Sequence, residues 1–395
     1  MNRHLYIFTE ADSNAGGYGV GSYILNLLDA LSIHEFYKIT IVSVMTNDAI
    51  VKVTQEDRLR KINIPKLSPP TSLKRNYFQS VYYILYPFID LRDRNYFHFN
   101  FFSSSKLARK IKENIENAVL LLTIHYFNEY DLKETGTDED ISTHLYHKII
   151  VINKATETIL RQKYRVKSNT LARIPNGVKD DCILIDTSKR AKIIKELGLA
   201  ENNLHLLFVG RMDKNKNVDL LIRVFIKLSA VYDNIHLNIV GSGDFDSSFK
   251  AIDQLWGKIS FFGKLDKENV YKLYQITDIG IIPSRYEELG YVAIEMMMHA
   301  IPVVANNMGG LSDLIKDNVT GLLFQLNSCK SQDEAEYLLY QKIESLIVNV
   351  RSRRELGDNA RKFYLNHLTK EIYSEKMGNY SGGKTGGKIF LAVNS

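Results

Sequence analysis

The chain has 395 residues, more than one hydrophobic core usually serves, so we expect two domains. Hydrophobic residues make up 45% of it and charged residues 24%, which is typical of globular proteins and excludes disordered or fibrous classes. The net charge of +6 is too small for a dedicated nucleic-acid binder and favours anionic small ligands or an acidic membrane surface.

Cys182 and Cys329 lie far apart and match neither zinc nor redox spacing, so we expect free thiols in a reducing compartment. No apolar signal region precedes the first strand-like residues, and no window of about 18 apolar residues predicts a transmembrane helix. We expect a cytoplasmic protein, with a position at the inner face of the membrane as a further option.

The first elements form a strand, a glycine-rich loop and a helix. Leu5–Thr9 is a short apolar strand, EADSNAGGYGVG follows it, and SYILNLLDAL has helical spacing. This layout is the general one for presenting backbone N–H groups to a phosphate or a sugar. The glycine spacing does not match the GxGxxG dinucleotide fingerprint, and a flexible turn before a helix is the structural alternative.

Apolar runs and helical stretches then alternate, which predicts βαβ units, a parallel sheet and the α/β class. The runs are ITIVSV, RKINIP, YFHFNFF, AVLLLTI and KIIVIN. His125 follows the strand AVLLLTI, and ligands of open α/β sheets bind beyond the carboxyl ends of strands, so His125 is a candidate for chemistry. His98 lies within a strand and is predicted to pack in the core.

The segment from Leu73 to Arg94 is aromatic along its length and basic at both ends. Such a stretch either lies on a bilayer or on a lipid-linked substrate, or simply covers the domain core. Both interpretations stay open at the level of sequence.

A turn signal at Pro175–Gly177 ends the first alternation, and LHLLFVG begins a second one. The boundary is therefore predicted between about residues 176 and 203. The strands LHLLFVG, HLNIVGSGD, ISFFG and DIGIIP make the second half resemble the first. We predict two facing Rossmann-like domains with a cleft, over residues 1–180 and 190–365.

Three loops after strands of the second half carry candidate ligand-binding residues. Arg211 and Lys216 follow LHLLFV, where two cations can hold a diphosphate, although a solvated basic loop is the alternative. Gly241 follows HLNIV in a turn that permits close backbone approach. PSRYEELGYVAIE follows DIGII and places Glu287 and Glu295 eight positions apart, beside Gly290 at a predicted helix N-terminus.

Taken in order, these motifs resemble the retaining glycosyltransferases of family 4, which have the GT-B fold. The resemblance lies in GGYGVGSYILNLLDAL, TIHYF, IPNGV, VGRMDKNKNVDLLIRVF, GSGD and PSRYEELGYVAIEMMMHAIPVVANNMGG. The last of these is the longest and most specific match, because it contains two glutamates separated by seven residues.

The resemblance implies a role for each matching position. Arg211 and Lys216 would grip the diphosphate of the donor, Glu287 would bind the transferred sugar, and Glu295 would bind the ribose. The remaining implied positions are backbone groups around Gly290, Tyr291 and Val292, the turn at Gly241, His125 on the donor sugar from the other domain, and Gly16 and Gly17 near the diphosphate or acceptor.

The resemblance further implies a reaction and its partners. The donor would be a nucleotide diphosphate sugar, and the acceptor a hydroxyl of a sugar or lipid-linked glycan in polysaccharide, lipopolysaccharide or other glycoconjugate synthesis. No metal or other cofactor would be required, because the two cations and a helix N-terminus replace a divalent ion. The leaving phosphate would accept the acceptor proton, and the N-terminal domain would serve the acceptor side.

Three positions depart from the family pattern. Asn217 and Ala300 stand where glycine is usual, and Lys179 stands where an aspartate often follows the turn. Alanine in place of a left-handed glycine costs about 1 kcal/mol or more. At the C-terminus, EIYSEKMGNY, near residues 366–380, is a candidate helix completing the N-terminal domain, and residues 381–395 are expected to be a disordered tail.

Two other functions remain compatible with the sequence. One is a sugar-nucleotide epimerase on the same fold, which needs no acceptor. The other is a non-catalytic carbohydrate-binding or partner-binding relative, which would tolerate loss of the charged residues. A dehydrogenase is disfavoured because the glycine spacing fails.

Overall fold

The protein divides into two compact units. The computed structural model describes residues 2–10, 20–30, 37–66, 77–101, 105–125, 143–183, 185–243 and 255–377. One unit consists of Met1–Gly177 together with Lys370–Ser395, and the other of Val178–Thr369. The chain therefore leaves the first unit at Gly177, immediately after the turn signal, and returns to it at Lys370.

The described part of the first unit holds a sheet of eight strands in the order β3-β4-β2-β1-β5-β6-β7-β8. The strands are β1 Arg3–Thr9, β2 Lys38–Thr46, β3 Lys52–Glu56, β4 Leu59–Pro65, β5 Arg94–Phe99, β6 Ala118–Ile124, β7 Lys148–Val151 and β8 Leu171–Arg173. Neighbouring strands pair in parallel except β3 and β4, which are antiparallel. The central strands are buried on both faces, so their sequences are almost continuously apolar.

The helices of the first unit pack against this sheet. They are α1 Val20–Ala30, α2 Tyr77–Leu85, α3 Ser105–Asn114, α4 Lys154–Gln162 and, from the returning chain, Lys370–Met377. Two short 3-10 helices, Tyr86–Phe88 and Thr143–Leu145, complete the described elements. Tyr373 of the returning helix is 1% exposed, and its ring lies 6.2 Å from the ring of Tyr23 on α1.

The aromatic segment between Leu73 and Arg94 largely covers the domain core. Its helix α2 buries residues at helical spacing, among them Tyr77, Val81 and Tyr82. Tyr83 and Tyr86 are exposed. Core coverage therefore accounts for one face of this segment, and two tyrosines remain on its other face.

The second unit holds a six-stranded sheet, in its described part, with the order β11-β10-β9-β12-β13-β14. All of its neighbouring strands are parallel. The strands are β9 Leu204–Val209, β10 Ile235–Val240, β11 Ile259–Phe261, β12 Ile279–Ile282, β13 Val303–Asn306 and β14 Gly321–Phe324.

Seven helices are described in the second unit. They are α5 Thr187–Glu196, α6 Val218–Ser229, α7 Lys267–Ile276, α8 Tyr291–Met298, α9 Gly310–Leu314, α10 Gln332–Val348 and α11 Val350–His367. A 3-10 turn spans Leu326–Ser328. The returning helix of the first unit, Lys370–Met377, is α12. Several start at side-chain caps, as where Asp266 accepts a hydrogen bond from the backbone N–H of Asn269 at 2.9 Å.

The predicted α/β class with two parallel-sheet units is confirmed. The sequence did not predict β3, β13 or β14. The five residues of β3 are all exposed and form an antiparallel hairpin with β4 at the sheet edge. The predicted disordered tail, residues 381–395, lies outside the described residues, so this prediction stays a prediction.

Candidate active site

The loops that follow β9 and β12 meet at the point where strand order reverses in the second sheet. From β9 the chain proceeds outward to β10, whereas β12 pairs on the other side of β9. Such a switch point opens a crevice at the carboxyl ends of the strands. The backbone N–H of Arg285 donates to the carbonyl of Asn215 at 2.7 Å, and the Asn215 side chain donates to the carbonyl of Tyr286 at 3.0 Å.

Lys216 and Glu287, predicted separately from two loops, form an ion pair across this switch point. The Lys216 ammonium contacts Glu287 Oε1, and the Ser284 hydroxyl donates to the same oxygen at 2.7 Å. Their side chains are 20% and 15% exposed, respectively. Glu287 therefore lies in the loop before α8, held from two sides, and Lys216 is not part of a freely solvated basic loop.

Arg211 lies in the same loop but in different surroundings. Its side chain is 75% exposed, and its ion pair is with Asp213 Oδ2 at 3.1 Å. The structure therefore places Arg211 at the rim of the loop, whereas Lys216 is fixed inside it.

Gly290 opens helix α8, as the sequence predicted, and its conformation requires glycine. Its φ is +88°, and a Cβ atom there would lie 2.8 Å from Cδ2 of Leu311. Tyr291 is the first residue of α8 and Val292 the second, so their N–H groups belong to the first helical turn. That turn carries the positive end of the helix dipole.

Glu295 lies inside α8 and is 6% exposed, in contrast to Glu287. The Tyr274 hydroxyl donates to Glu295 Oε2 at 2.9 Å. Burial raises the pKa of Glu295 to about 7, an effect that the Tyr274 hydrogen bond partly opposes. The two glutamates of the motif thus have distinct environments, one ion-paired and one buried beside a tyrosine.

Gly241 serves close packing between two loops. Its φ is +149°, and a Cβ atom there would lie 1.7 Å from the carbonyl oxygen of Gly210. The β10 and β9 loops can approach only because this position has no side chain. Loop packing thus explains why glycine is required at position 241, while the predicted donor-binding role of Gly241 stays a prediction.

Sequence reasoning missed the residues that hold the Glu287 loop from the β13 side. Asn306, 1% exposed at the end of β13, donates to the carbonyl of Ser284 at 3.0 Å. The N–H of Gly310 donates to the carbonyl of Glu287 at 2.7 Å, and a Cβ at Gly309 would lie 2.2 Å from that same oxygen. The available signal was the apolar run IPVVA, which ends at a polar residue, Asn306, and is followed by the glycine pair Gly309 and Gly310.

Two of the departures from the family pattern occupy the left-handed region. Asn217 has φ +56° and precedes α6, and its side chain donates to the carbonyl of Pro283 at 3.3 Å. Asparagine tolerates this conformation, so the change is mild. Ala300 has φ +57°, which alanine adopts only with strain. Lys179 pairs with Asp181 at 3.1 Å and is 67% exposed.

His125, the predicted residue of the first unit, lies at the end of β6. Its Nε2 is 3.0 Å from Oδ1 of Asn100, and the ring of Tyr23 lies 4.4 Å away in an edge contact. Burial lowers the pKa of His125 to about 3, so the imidazole is neutral at physiological pH. His98 is fully buried, as expected for a core residue. Gly16 and Gly17 lie outside the described residues.

Solved structures share this fold over nearly the whole chain. Sucrose-phosphate synthase from Thermosynechococcus elongatus superposes with a TM-score of 0.76 at 20% identity, covering 95% of this chain and 97% of that one. The Anabaena protein HepE in complex with UDP-glucose superposes with a TM-score of 0.70 at 16% identity, covering 95% and 98%. The predicted GT-B class is thereby confirmed at the level of fold.

The family comparison falls on the second unit. Residues 189–363 match the family model described as Glycosyl transferases group 1, a segment that contains Arg211, Lys216, Glu287 and Glu295. An uncharacterized glycosyltransferase of Methanocaldococcus jannaschii is 30% identical over 197 residues, 49% of this chain and 50% of that protein. The lipopolysaccharide 1,2-N-acetylglucosaminetransferase of Salmonella typhimurium is 27% identical over 233 residues, 55% and 57%.

These alignments span about half the length of the curated relatives they match. In the described part of the chain, no helix has both the length and the apolar character needed to cross a membrane.

Proposed function

We propose that the protein is a glycosyltransferase that moves a sugar from a nucleotide diphosphate sugar to a hydroxyl acceptor with retention of anomeric configuration. The observation that carries the proposal is the Lys216–Glu287 pair at the switch point of the second sheet. This pair places a cation beside a carboxylate at the carboxyl ends of the strands, where open α/β sheets bind their ligands. The family match over residues 189–363 and the glycosyltransferase relatives support it.

Donor binding is assigned to the cationic side chains of the loop after β9 and to the N–H groups at the start of α8. An ammonium group has three donors, so Lys216 can keep its contact with Glu287 and still bind a phosphate oxygen. Arg211, exposed at the rim, adds a second cation, and the first turn of α8 after Gly290 adds N–H groups. Glu295 is assigned to the ribose. In this proposal these groups take the place of a divalent metal.

The transfer step exchanges one bond for another at the anomeric carbon. The bond from that carbon to the diphosphate oxygen breaks, and a bond to the acceptor oxygen forms on the same face. The acceptor proton passes to the leaving phosphate, whose growing charge Lys216 and Arg211 stabilise. Glu287, near the sugar, supports positive charge on the ring electrostatically, and His125 is assigned a hydrogen bond to a sugar hydroxyl.

The class of product follows from relatives and stays a proposal for this chain. Matching proteins include the Salmonella lipopolysaccharide enzyme and a capsular polysaccharide biosynthesis glycosyltransferase of Staphylococcus aureus. We therefore propose a sugar or lipid-linked glycan as acceptor in glycoconjugate synthesis, and a nucleotide-sugar donor. The complex of HepE with UDP-glucose makes uridine diphosphate sugars the first donors to assay.

Transfer assays with three lysine and glutamate variants test the assignment. Lys216→Ala and Glu287→Ala should each reduce kcat/KM by roughly 10²- to 10³-fold, the usual loss for one preorganised charge-stabilising group. Lys214→Ala is the matched control, because Lys214 is an exposed lysine of the same loop. Full activity in both test variants would overturn the roles.

Whether nucleotide release depends on an acceptor distinguishes glycosyl transfer from the two alternative functions. Free nucleoside diphosphate should accumulate only when a hydroxyl acceptor is present, and NMR of the product should show the donor's anomeric configuration. An altered sugar still attached to the nucleotide, without any acceptor, would indicate an epimerase. Binding with no turnover of any donor would indicate a non-catalytic relative.

Peripheral contact with an anionic membrane is proposed for the exposed tyrosines of α2 and of the 3-10 helix that follows it. Tyr83 is 58% exposed and Tyr86 is 42% exposed, and the Lys110 ammonium lies 6.0 Å from the Tyr83 ring. Aromatic side chains beside a cation suit a bilayer interface. The protein should sediment with phosphatidylserine vesicles at low salt and lose this on Tyr83→Ser with Tyr86→Ser, whereas absence of sedimentation contradicts the contact and the cytoplasmic membrane-face location.

A further inference from the structure

The surroundings of His125 are built from three neighbouring strands of the first unit. Strands β1, β5 and β6 are adjacent in the sheet and parallel. Phe8 lies near the end of β1, Asn100 directly follows β5 and His125 directly follows β6. Asn100, 5% exposed, therefore lies between a main-chain carbonyl on one side and the imidazole on the other.

The orientation of the Asn100 amide is determined by its contact with β1. The Asn100 Nδ2 atom is 3.0 Å from the carbonyl oxygen of Phe8. A carbonyl oxygen can only accept a hydrogen bond, so the NH₂ group must face Phe8, since the reverse orientation would oppose two acceptors. The amide oxygen of Asn100 consequently faces His125.

We propose that Asn100 is a positioning residue that holds His125 in the tautomer protonated at Nε2. The Asn100 oxygen lies 3.0 Å from His125 Nε2 and can only accept, so Nε2 must carry the proton. In a neutral ring the other nitrogen, Nδ1, then carries the lone pair. Resting on the proposed function, this makes His125 a hydrogen-bond acceptor for a donor-sugar hydroxyl, not an acid.

The other titratable groups facing this ring leave it neutral. Tyr23 faces it from α1, its hydroxyl 3.0 Å from Oγ1 of Thr123, and burial raises the pKa of Tyr23 to about 12. His98 of β5 shares Thr123, at 2.7 Å, and burial lowers its pKa to about 3. Among the described residues, neither neighbour brings a charge to His125 near neutral pH.

The tautomer is measured directly by long-range ¹H–¹⁵N NMR of protein labelled at histidine. The chain has ten histidines, and the signals of His125 are those that disappear in His125→Gln. Nitrogen-15 shifts separate the two tautomers, so the wild-type protein should show Nε2 protonated and Nδ1 unprotonated near neutral pH. This readout needs neither donor nor acceptor, and it succeeds or fails independently of any glycosyl transfer.

Two substitutions of Asn100 separate positioning from mere structural support. Asn100→Ala and Asn100→Asp both lose the hydrogen bond to the Phe8 carbonyl, but only Asn100→Asp keeps an acceptor facing His125. We expect a mixture of tautomers in Asn100→Ala and a protonated Nε2 in Asn100→Asp, whose carboxylate accepts from Nε2 and also favours the charged imidazole. If transfer is detected, Asn100→Ala should lower kcat about tenfold, consistent with one hydrogen bond of ordinary strength.

Asn95→Ala is the control, since Asn95 is a fully buried asparagine on β5, the strand that Asn100 follows, and donates to the carbonyls of Asp90 and Asp93. It should leave the His125 tautomer unchanged. The Nδ1–H tautomer in the wild-type protein, or an unchanged tautomer in Asn100→Ala, would overturn the inference. A mixture in both Asn100 variants would assign the effect to the Phe8 contact and also overturn it.

Discussion

Glu295 and Glu287 belong to one sequence motif, but their carboxyl groups lie in different surroundings. Glu295 is buried against Tyr274, whereas Glu287 is paired with Lys216. The spacing of the two glutamates was visible in the sequence, but their burial was not, because Tyr274 lies on another helix, α7. The Lys216–Glu287 contact joins residues 71 positions apart and likewise depends on strand order.

The raised pKa of Glu295 predicts a pH-dependent stability. Its pKa is about 7 in the folded state against 4.5 as the ordinary value, so the folded state retains a proton that the unfolded state releases. This contribution is present below about pH 4.5 and is lost as the pH rises through 7. The free energy of unfolding of Glu295→Gln, relative to wild type, should therefore increase by on the order of 2 kcal/mol from pH 5 to pH 8.

Urea titrations at the two pH values measure this difference. Glu268→Gln, which removes a carboxylate that is 82% exposed, is the control and should show little change between them. Equal pH dependence in wild type and Glu295→Gln would mean that this carboxyl ionises as an ordinary one.

The left-handed conformation of Ala300 leads to a second prediction for a single residue, which concerns stability only. Its φ of +57° costs alanine about 1–2 kcal/mol, and glycine returns about 0.4–1 kcal/mol through the entropy of the unfolded chain. Ala300→Gly should therefore stabilise the protein by about 0.5–1 kcal/mol in chemical denaturation. Ala191→Gly, inside α5, should instead destabilise by about 1 kcal/mol, and a similar loss in Ala300→Gly would contradict the strain.

At the scale of elements, the sequence pattern predicted most of the central strands but missed β13 and the edge strands β3 and β14. Strands such as β6 and β9 are buried on both faces and leave an apolar run that is easily recognised. Strand β3 is exposed along its length, so its residues KVTQE carry no such run. Loop contacts at the site escaped prediction for another reason: Asn306 and Gly310 reach Glu287 and its neighbours only through the order of β12 and β13.

The returning helix Lys370–Met377 supports the first unit from the far end of the chain. Tyr373 is 1% exposed against α1, so Tyr373→Ala removes a buried ring at a cost of about 3 kcal/mol. Amide hydrogen exchange should show lower protection across the strands of the first unit, while the second unit keeps its protection. Tyr337→Ala, at a side chain that is 59% exposed, should change little, and loss of protection confined to the second unit would contradict this packing.

At the scale of the molecule, each unit presents its candidate residues at the carboxyl ends of parallel strands. In the second unit these ends carry the loops after β9, β10 and β12. In the first unit the end of β6 carries His125. Alternating apolar and helical segments were sufficient to predict this repeated architecture. The donor, the acceptor and the linkage of the proposed transfer would depend on individual side chains, which motif spacing does not define.

Hydrogen exchange with and without a saturating nucleoside diphosphate tests the central claim, that the second unit holds a nucleotide diphosphate at this switch point. A ligand at about 100 times its Kd adds about 2.7 kcal/mol of stability to the state that binds it. Slower exchange should be concentrated in the loops 210–217 and 283–290 and in the first turn of α8, and it should weaken in Lys216→Ala but not in Lys214→Ala. Protection elsewhere, or none with uridine, guanosine, adenosine, cytidine or thymidine diphosphate, would contradict the claim.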